Sequence, residues 1–537
     1  MRKRFLSHAV MAALAVSGSL AVPALAQAQA KGTLVYCSEA SPEGFDTAQF
    51  TTGTTFDAAD QAMFNRLVDF KIGTTEMIPS LAQSWTVSPD GKTVIFRLRP
   101  GVKFHTTEYF TPSREFNADD VVFTFERMVN KDHPFNKAYP VQFPYAADTG
   151  LDSNIAAVEK VDAMTVAFHL KSADFDFLAK VAMPFASIQS AEYTAKLLQE
   201  GKAAQINQLP VGTGPFTFVR YQKDAQIRYK ANGSYWEAGL PKVANLVFAI
   251  TKDASVRFQK LKANECQISV YPAPADVAAM KTNPALKVLE SPGFNVGYVN
   301  YNVEKGPTKS VDVRRALDMA INRDAIIKAV YQGYAVAATN PMPPTLYGYD
   351  KALKNPAANV EEAKKLLAKA GVPNGFELDL WAMPVQRPYN PNAKLMAEMI
   401  QSDWAKIGVK AKIVSYEWGE YIKRMKNGEH ISGMMGWTGD FASPDNFLSL
   451  LICSGVGGNN YARYCSKDFD ALVLKARTVR SEAERATLYT QAIGIFKKDM
   501  PWSTIAHSVV NQPMRKEVQG FKVDPFGLNR FKEVSVK

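Results

Sequence analysis

Asp440 is a carboxylate at the end of an apolar segment, and such a residue needs either a chemical partner or a structural role. The segment MMGWTGD at residues 434–440 has the composition of a buried strand that ends in one acid. Acidic side chains are seldom buried without a partner. Asp440 therefore shapes a turn, holds a metal, transfers protons or receives a positive charge from a ligand.

Arg387 lies in the Pro-rich segment PVQRPYNP at residues 384–391 and offers the opposite charge. Its planar guanidinium matches a carboxylate through two parallel hydrogen bonds. An acid and a base at fixed separation suit a zwitterion such as a free dipeptide, whose charged ends lie at most about 7 Å apart when extended. Gly436 and Gly439 are expected to let the backbone approach such a ligand closely. The candidate ligand contacts in the two segments are Asp440, Arg387, Tyr389, Trp437, Thr438 and Gly439.

The elements around these segments are predicted to bring them together. Five consecutive segments have the patterns of strand, helix, strand, helix and strand: 376–383, 392–408, 409–416, 420–428 and 431–437. A β–α–β–α–β chain makes parallel neighbouring strands, whose carboxyl ends meet at one edge of the sheet. Arg387 follows the first strand and Asp440 follows the third. Topology alone therefore predicts a cation and a carboxylate at the same edge.

Structural interpretations of the same segments remain open. An Asp after Gly commonly shapes a turn, and an Arg in a Pro-rich loop is commonly solvated. Met434 and Met435 are predicted to be core residues rather than ligand contacts. Asp445 follows Ser443 and Pro444, a pattern typical of a helix start, and we interpret it as structural.

The sequence gives little support for catalysis or metal binding. It contains no G-x-S-x-G, S-x-x-K or H-E-x-x-H motif. The five histidines after residue 30 are scattered, and no two have the i, i+4 spacing of a local metal pair. We therefore expect a binding protein with no catalytic residues, metal or cofactor. A periplasmic hydrolase built from residues far apart in the sequence is the alternative from another class.

Length, composition and charge further limit the class of protein. The 537 residues are enough for two or three domains, and 47% hydrophobic with 21% charged residues is typical of a globular protein. The formal charge is +11, of which three positive charges lie in the first 30 residues. Lys and Arg are dispersed and no basic-aromatic motif is present, so we expect no nucleic-acid partner.

Residues 1–30 are predicted to be a cleavable secretory signal peptide. Basic residues in MRKR precede an apolar run, and overlapping A-x-A sites follow in ALAQAQA. The run is broken by Ser, Gly and Pro, which argues against a retained membrane anchor. We therefore expect an exported protein.

Export favours disulfide bonds among the four cysteines, Cys37, Cys266, Cys453 and Cys465. None of them forms a C-x-x-C motif, so the spacing does not indicate a zinc site. Three pairings are possible. We favour Cys453–Cys465, which closes a short loop rich in Gly and Asn, together with Cys37–Cys266, which would join two strands of one lobe.

Several segments match a known family. They are LVYCSEASPEGFD, DGKTVIFRLRPGVKFH, NADDVVFTFER, VGTGPF, VRRALDMAINRDAIIKAVYQG, WAMPVQRPYNPNAKLMAEMIQSDWAKIGV and GWTGD. Together they resemble the periplasmic peptide-binding proteins of bacterial ABC importers (solute-binding protein family 5), and among these the dipeptide binders. The resemblance extends over essentially the whole chain after the signal peptide, although residues 104–107, 140–150 and 441–443 depart from the pattern.

The resemblance implies an α/β fold, namely a bilobal periplasmic-binding-protein fold with an extra subdomain in the first lobe and the ligand cleft between the lobes. The implied divisions are 31–66, 213–292 and 508–537 for the lobe I core, 67–212 for the extra subdomain and 293–507 for lobe II. The family closes over its ligand by a hinge motion. The resemblance also implies the two disulfide pairings favoured above.

The resemblance further implies roles and partners. Asp440 takes the ammonium of a dipeptide, Arg387 takes its carboxylate, and the loop Thr51, Thr52, Gly53 grips its backbone. The implied partners are dipeptides and an inner-membrane ABC dipeptide permease, with a chemoreceptor as an optional further partner. The protein is implied to be a periplasmic monomer. The alternative ligands are longer peptides, haem or another small nutrient.

Overall fold

The computed structural model describes residues 32–355 and 357–537. The predicted signal peptide at residues 1–30 lies outside the described residues. The strands are β1 (Thr33–Ser38), β2 (Val68–Phe70), β3 (Met77–Pro79), β4 (Ala82–Val87), β5 (Thr93–Leu98), β6 (Ile155–Asp162), β7 (Thr165–Leu170), β8 (Phe216–Gln222), β9 (Gln226–Ala231), β10 (Asn245–Ile250), β11 (Ile268–Ser269), β12 (Leu286–Pro292), β13 (Asn295–Tyr301), β14 (Ala335–Ala337), β15 (Glu377–Trp381), β16 (Lys410–Val414), β17 (Ser432–Thr438), β18 (Trp502–Arg515), β19 (Val518–Gln519) and β20 (Ser535–Val536).

The chain also forms eighteen α-helices within the described residues, and shorter 3₁₀ and π segments occur between elements. The α-helices are α1 (Gly53–Ala58), α2 (Asp60–Met63), α3 (Ala118–Val129), α4 (Pro134–Ala138), α5 (Pro144–Asp148), α6 (Leu151–Asn154), α7 (Phe177–Val181), α8 (Ala191–Gln199), α9 (Ala254–Lys262), α10 (Pro274–Thr282), α11 (Val311–Ala320), α12 (Arg323–Ile326), α13 (Val360–Lys369), α14 (Ala393–Ala405), α15 (Trp418–Lys426), α16 (Asp445–Leu448), α17 (Lys467–Arg477) and α18 (Glu482–Asp499). Within this part of the chain, no helix combines the length and the apolar character that crossing a bilayer requires.

One twelve-stranded sheet runs through both lobes and joins them. Its order is β16-β15-β17-β13-β18-β11-β1-β10-β9-β8, and β12 and β14 also pair with β18. The first part of β18 pairs with β13 and β14, whereas its second part pairs with β12. The chain therefore passes between the lobes within β18 and between β12 and β13, and paired connections of this kind permit hinge closure. The predicted division points at 292/293 and 507/508 fall in these two connections, but the numerical boundaries stay predictions.

The β–α–β–α–β order predicted for lobe II is confirmed. β15, α14, β16, α15 and β17 follow one another along the chain. β15 lies between β16 and β17 and is parallel to both. The carboxyl ends of β15 and β17 therefore lie at the same edge of the sheet, where the loops that follow them carry Arg387 and Asp440.

Local sequence sets the ends of α14, the helix between β15 and β16. The side chain of Asn392 caps the helix by accepting a hydrogen bond from the backbone N–H of Leu395 (3.0 Å). Gly408, at φ +82°, takes the left-handed conformation that follows the helix. Met396 and Ile400 lie on its buried face, as their helical spacing predicts.

In lobe I, β1 lies between β10 and β11 and is parallel to both. The disulfide Cys37–Cys266 joins β1 to the segment that precedes β11, and Cys453–Cys465 closes a loop in lobe II. Both predicted disulfide pairings are confirmed.

A separate antiparallel sheet, β4-β5-β7-β6, forms the centre of the extra subdomain of lobe I. Phe168 of this sheet packs against Phe96 within the sheet and against Phe125 of α3. The short helices α4, α5 and α6 connect α3 to β6. They matter for function because α5 contributes Tyr145, which contacts lobe II across the cleft.

Candidate functional site

The candidate site is a cleft between the two lobes, with about 680 Å³ of space that protein atoms do not fill, solvent at its mouth included. Eight of the nine predicted ligand contacts line it: Thr51, Thr52, Gly53, Arg387, Tyr389, Trp437, Thr438 and Asp440. Gly439 does not, because a Cβ on it would point at Phe294 and Phe447 instead. Much of the remaining wall is aromatic, and Arg387 and Asp440 are its charged members.

Asp440 lies just beyond the end of β17 and is 8% exposed. Its Oδ2 accepts hydrogen bonds from the Tyr145 hydroxyl (3.0 Å) and from Nδ2 of Asn446 (3.4 Å). Its backbone N–H donates to Oδ1 of the same Asn446 (2.8 Å), which also accepts from Nε1 of Trp437 (3.1 Å). These bonds fix the carboxyl in place. Within the described residues, none of them comes from a cation.

The buried environment of Asp440 disfavours the ionised form of its carboxyl group. Burial raises the pKa of this carboxyl from its usual range to about 7, while the hydrogen bonds from Tyr145 and Asn446 act in the opposite direction. A buried carboxylate without a cation is much less stable than the same group in water. A positively charged group that entered the cleft would therefore gain a full electrostatic partner at this position.

Arg387 is held by a tight turn after β15. The backbone N–H of Arg387 donates to the carbonyl of Asn390 (3.1 Å), and that of Asn390 donates back (3.0 Å). Pro388 occupies the second turn position, which its fixed φ favours. The Arg387 guanidinium is 4.7 Å from the Trp418 ring centroid, a cation–π distance.

Arg387 is buried and already paired, which differs from the solvated loop residue that its Pro-rich context suggested. It is 5% exposed and forms an ion pair with Glu39 of lobe I. Its Nη2 also donates to the Thr54 hydroxyl (3.0 Å). The two charged ends of the cleft therefore differ, since one has an internal counter-charge and the other, Asp440, has none among the described residues.

Tyr389 reaches the cleft across two facing glycines. Gly297 of β13 and Gly436 of β17 are register partners. A Cβ on Gly436 would lie 2.1 Å from the Tyr389 ring, and one on Gly297 would lie 2.3 Å from the Tyr389 carbonyl oxygen. The Tyr331 hydroxyl donates to the same carbonyl (2.7 Å). The sequence predicts that Gly436 makes room for a ligand, whereas in the structure it makes room for Tyr389, which lines the ligand cleft.

Contacts between the lobes hold the cleft closed on the side of the extra subdomain. Asp176 accepts a hydrogen bond from Ser443 of lobe II (2.7 Å) and pairs with Arg485 of lobe II (3.1 Å). Asp445, interpreted from the sequence as structural, is fully buried and lies 3.6 Å from the ammonium of Lys180. The lobes are therefore in contact beside the cleft and Asp440 and Arg387 are both buried, which is the arrangement of a closed form.

Several residues in or beside the cleft are not among the predicted contacts, and Glu39, Tyr145 and Met435 are the most informative of them. Glu39 follows β1 at a sheet edge, so the strand-end argument used for Arg387 would have indicated it. Tyr145 lies on a five-residue helix in a stretch without periodicity, and no sequence signal pairs it with Asp440. Met435 is predicted as core, and it is buried but also lines the cleft.

Comparison with known proteins gives one consistent result. The family model described as bacterial extracellular solute-binding proteins, family 5 Middle, matches residues 76–459. Di/tripeptide-binding protein 1 of Pseudomonas aeruginosa (strain UCBPP-PA14) is 57% identical over 536 residues, which cover 100% of this chain and 99% of that protein. The dipeptide-binding protein of Escherichia coli (strain K12) is 52% identical over 520 residues, with coverage of 96% and 97%.

A solved structure extends the similarity to the fold. The crystal structure of the dipeptide binding protein from Pseudoalteromonas sp. SM9913 in complex with Met-Leu has a TM-score of 0.91 with this chain. The two sequences are 37% identical, and the match covers 94% of this chain and 100% of the other. The bilobal α/β architecture predicted from the sequence is confirmed by this match.

Replacing Gly436 with Ala should destabilise the protein, because the new Cβ overlaps the Tyr389 ring, and overpacking typically costs about 1–3 kcal/mol. Gly494→Ala is the matched control, since Gly494 is in α18 and a Cβ there meets nothing within 4 Å. Urea unfolding should give a lower midpoint for Gly436→Ala and an unchanged or higher one for Gly494→Ala. A wild-type midpoint for Gly436→Ala would contradict the close packing of Tyr389.

Proposed function

The chain belongs to the bacterial extracellular solute-binding proteins of family 5, and we propose that it is a receptor that captures dipeptides and delivers them to an ABC importer. The observation that carries this proposal is Asp440, a carboxylate in a closed cleft without a cation partner among the described residues. A free peptide brings an ammonium group to this position. The names of the similar proteins point to ligands of two or three residues.

The proposed arrangement places the ligand along the line from Asp440 to Arg387. The ammonium takes Asp440 as its partner, and the carboxylate uses donors of Arg387 that Glu39 and Thr54 leave free, since a guanidinium carries five N–H groups. Residues 51–53 lie on the lobe I side of the cleft, at the start of α1, and contact the peptide backbone in this arrangement. Tyr389 and Trp437 form the apolar wall beside it.

Binding is coupled to closure because the charged partners lie on different lobes. Asp440 belongs to lobe II but bonds to Tyr145 of lobe I, and Arg387 of lobe II pairs with Glu39 of lobe I. Closure without a ligand buries Asp440 without a cation, whereas closure with a ligand buries a paired charge. The ligand thereby favours the closed state, which is the differential affinity that a population shift requires. The permease then recognises the closed form.

Export and the absence of catalysis are part of the same proposal. Family 5 proteins are binding proteins rather than enzymes. Residues 1–30 have the charge pattern and the small-residue sites of a signal peptide, although they lie outside the described residues. We therefore place the mature protein in the periplasm as a binding protein.

Peptide length gives a direct test of the proposed function. Calorimetry with alanine peptides of increasing length should show the tightest binding for the dipeptide and a loss of affinity for the tetrapeptide, because each added residue lengthens the ligand by about 3.5 Å. Incubation should leave every peptide intact. Equal affinity for dipeptide and tetrapeptide would contradict the dipeptide assignment, and release of free amino acids would contradict the receptor assignment.

Asp440→Asn should weaken dipeptide binding, because a hydrogen bond to a charged group, worth about 1.5–3 kcal/mol, is replaced by a neutral contact. This corresponds to a dissociation constant roughly tenfold higher or more. Asp132→Asn removes a carboxylate that is 87% exposed and serves as the matched control. Calorimetry should find wild-type affinity for the control, and an unchanged affinity in Asp440→Asn would refute the role of Asp440.

Affinity should also fall as the solution is made more acidic than about pH 7. Without ligand, burial raises the pKa of Asp440 to about 7, and a bound ammonium lowers that pKa by stabilising the carboxylate. Below pH 7 binding must therefore expel a proton, which reduces affinity by up to about tenfold per pH unit.

The variants that test this pH dependence are Asp440→Asn and Asp148→Asn. Burial also raises the pKa of Asp148 to about 7, but Asp148 lies outside the ligand cleft. Calorimetry from pH 5.5 to pH 8 should show that the dependence is lost in Asp440→Asn and retained in Asp148→Asn. If the pH dependence of affinity were lost in Asp148→Asn and retained in Asp440→Asn, Asp148 rather than Asp440 would be its source.

A further inference from the structure

Glu39 contacts Arg387 of the cleft, and the proposed function assigns Glu39 no role toward the ligand. It follows the last residue of β1 and is 2% exposed. Its Oε1 forms an ion pair with Nη1 of Arg387 and accepts a hydrogen bond from the Thr54 hydroxyl (2.8 Å). Thr54 in turn accepts from Nη2 of Arg387 (3.0 Å). The three side chains form a closed ring of contacts between lobe I and lobe II.

In the closed form this ring pairs Arg387 with a carboxylate of the protein itself. A ligand carboxylate that reaches the guanidinium must share it with Glu39, and two carboxylates on one guanidinium repel each other. The Trp418 ring centroid lies 4.7 Å from the guanidinium carbon, and this cation–π contact also holds Arg387 in its position beside Glu39. The carboxyl end of the ligand therefore gains less from Arg387 than a free arginine would offer.

We propose that Glu39 is a specificity-determining residue that acts as an internal carboxylate on Arg387 and makes the ligand's ammonium obligatory and its free carboxylate dispensable. The ligand class then extends to peptides with a charged amino end and a blocked carboxyl end, such as dipeptide amides. This inference rests on the proposed function, since it takes Asp440 as the ammonium partner.

Three probes test the proposal in calorimetry with the full-length mature protein: Met-Leu, Met-Leu amide and N-acetyl-Met-Leu. The wild type should bind Met-Leu and its amide within about tenfold of each other, and the N-acetyl compound at least about a hundredfold more weakly. This comparison needs no variant. A wild type that rejects the amide as strongly as the N-acetyl compound would overturn the proposal.

Glu39→Gln then tests the residue itself. The variant keeps the size of the side chain but frees Arg387, so its preference for Met-Leu over the amide should rise at least about tenfold relative to the wild type. Asp176→Asn is the control, because Asp176 joins the lobes through Ser443 and Arg485 without touching Arg387. It should change both affinities by the same factor and leave their ratio unchanged.

The outcomes separate this proposal from the proposed function. If the wild type binds none of the three probes, both fail. If it binds Met-Leu but the ratio in Glu39→Gln stays at the wild-type value, or shifts equally in Asp176→Asn, only the role of Glu39 fails.

Discussion

A carboxylate buried without a cation is the constraint on which the rest of this structure depends. Asp440 and Asp445 show the difference within one short segment, because both are buried acids. Asp445 pairs with Arg477 (2.7 Å) and lies near Lys180, so its charge is satisfied inside the protein. Asp440 has the neutral donors Tyr145 and Asn446. Of these two acids, only Asp440 lacks a counter-charge among the described residues, and under the proposed function the ligand's ammonium supplies it.

The fold places the buried carboxylate of Asp440 at the boundary between the two lobes. Parallel strands bring Arg387 and Asp440 to one sheet edge in lobe II, and the carboxyl end of β1 brings Glu39 to the opposing edge in lobe I. The lobes are joined by adjacent strands, so they can separate and expose Asp440 to water. Closure of the lobes therefore buries the charge of Asp440, and a ligand that pairs with this charge also stabilises the closed form.

The sequence was sufficient for the parts of the site that follow from local pattern and topology. Alternation, helix caps and glycine stops predict the β–α–β–α–β order, and that order places Arg387 and Asp440 together. The contacts of Tyr145 and the packing of Tyr389 on Gly436 could not be predicted in this way. They join residues up to 295 positions apart through side-chain geometry that no periodic pattern records. The position of Glu39 after a strand could be predicted from the sequence, but its ion pair with Arg387 could not.

A crystal structure of the protein with a bound dipeptide would test the central claim most directly. The account predicts the ligand nitrogen within about 3 Å of the Asp440 carboxylate. It also predicts that the Tyr145 bond is retained and that Glu39 remains on Arg387 while the ligand carboxylate uses the other donors of the guanidinium. A ligand in the reverse orientation, or an ammonium bound elsewhere while Asp440 keeps only its protein contacts, would contradict it.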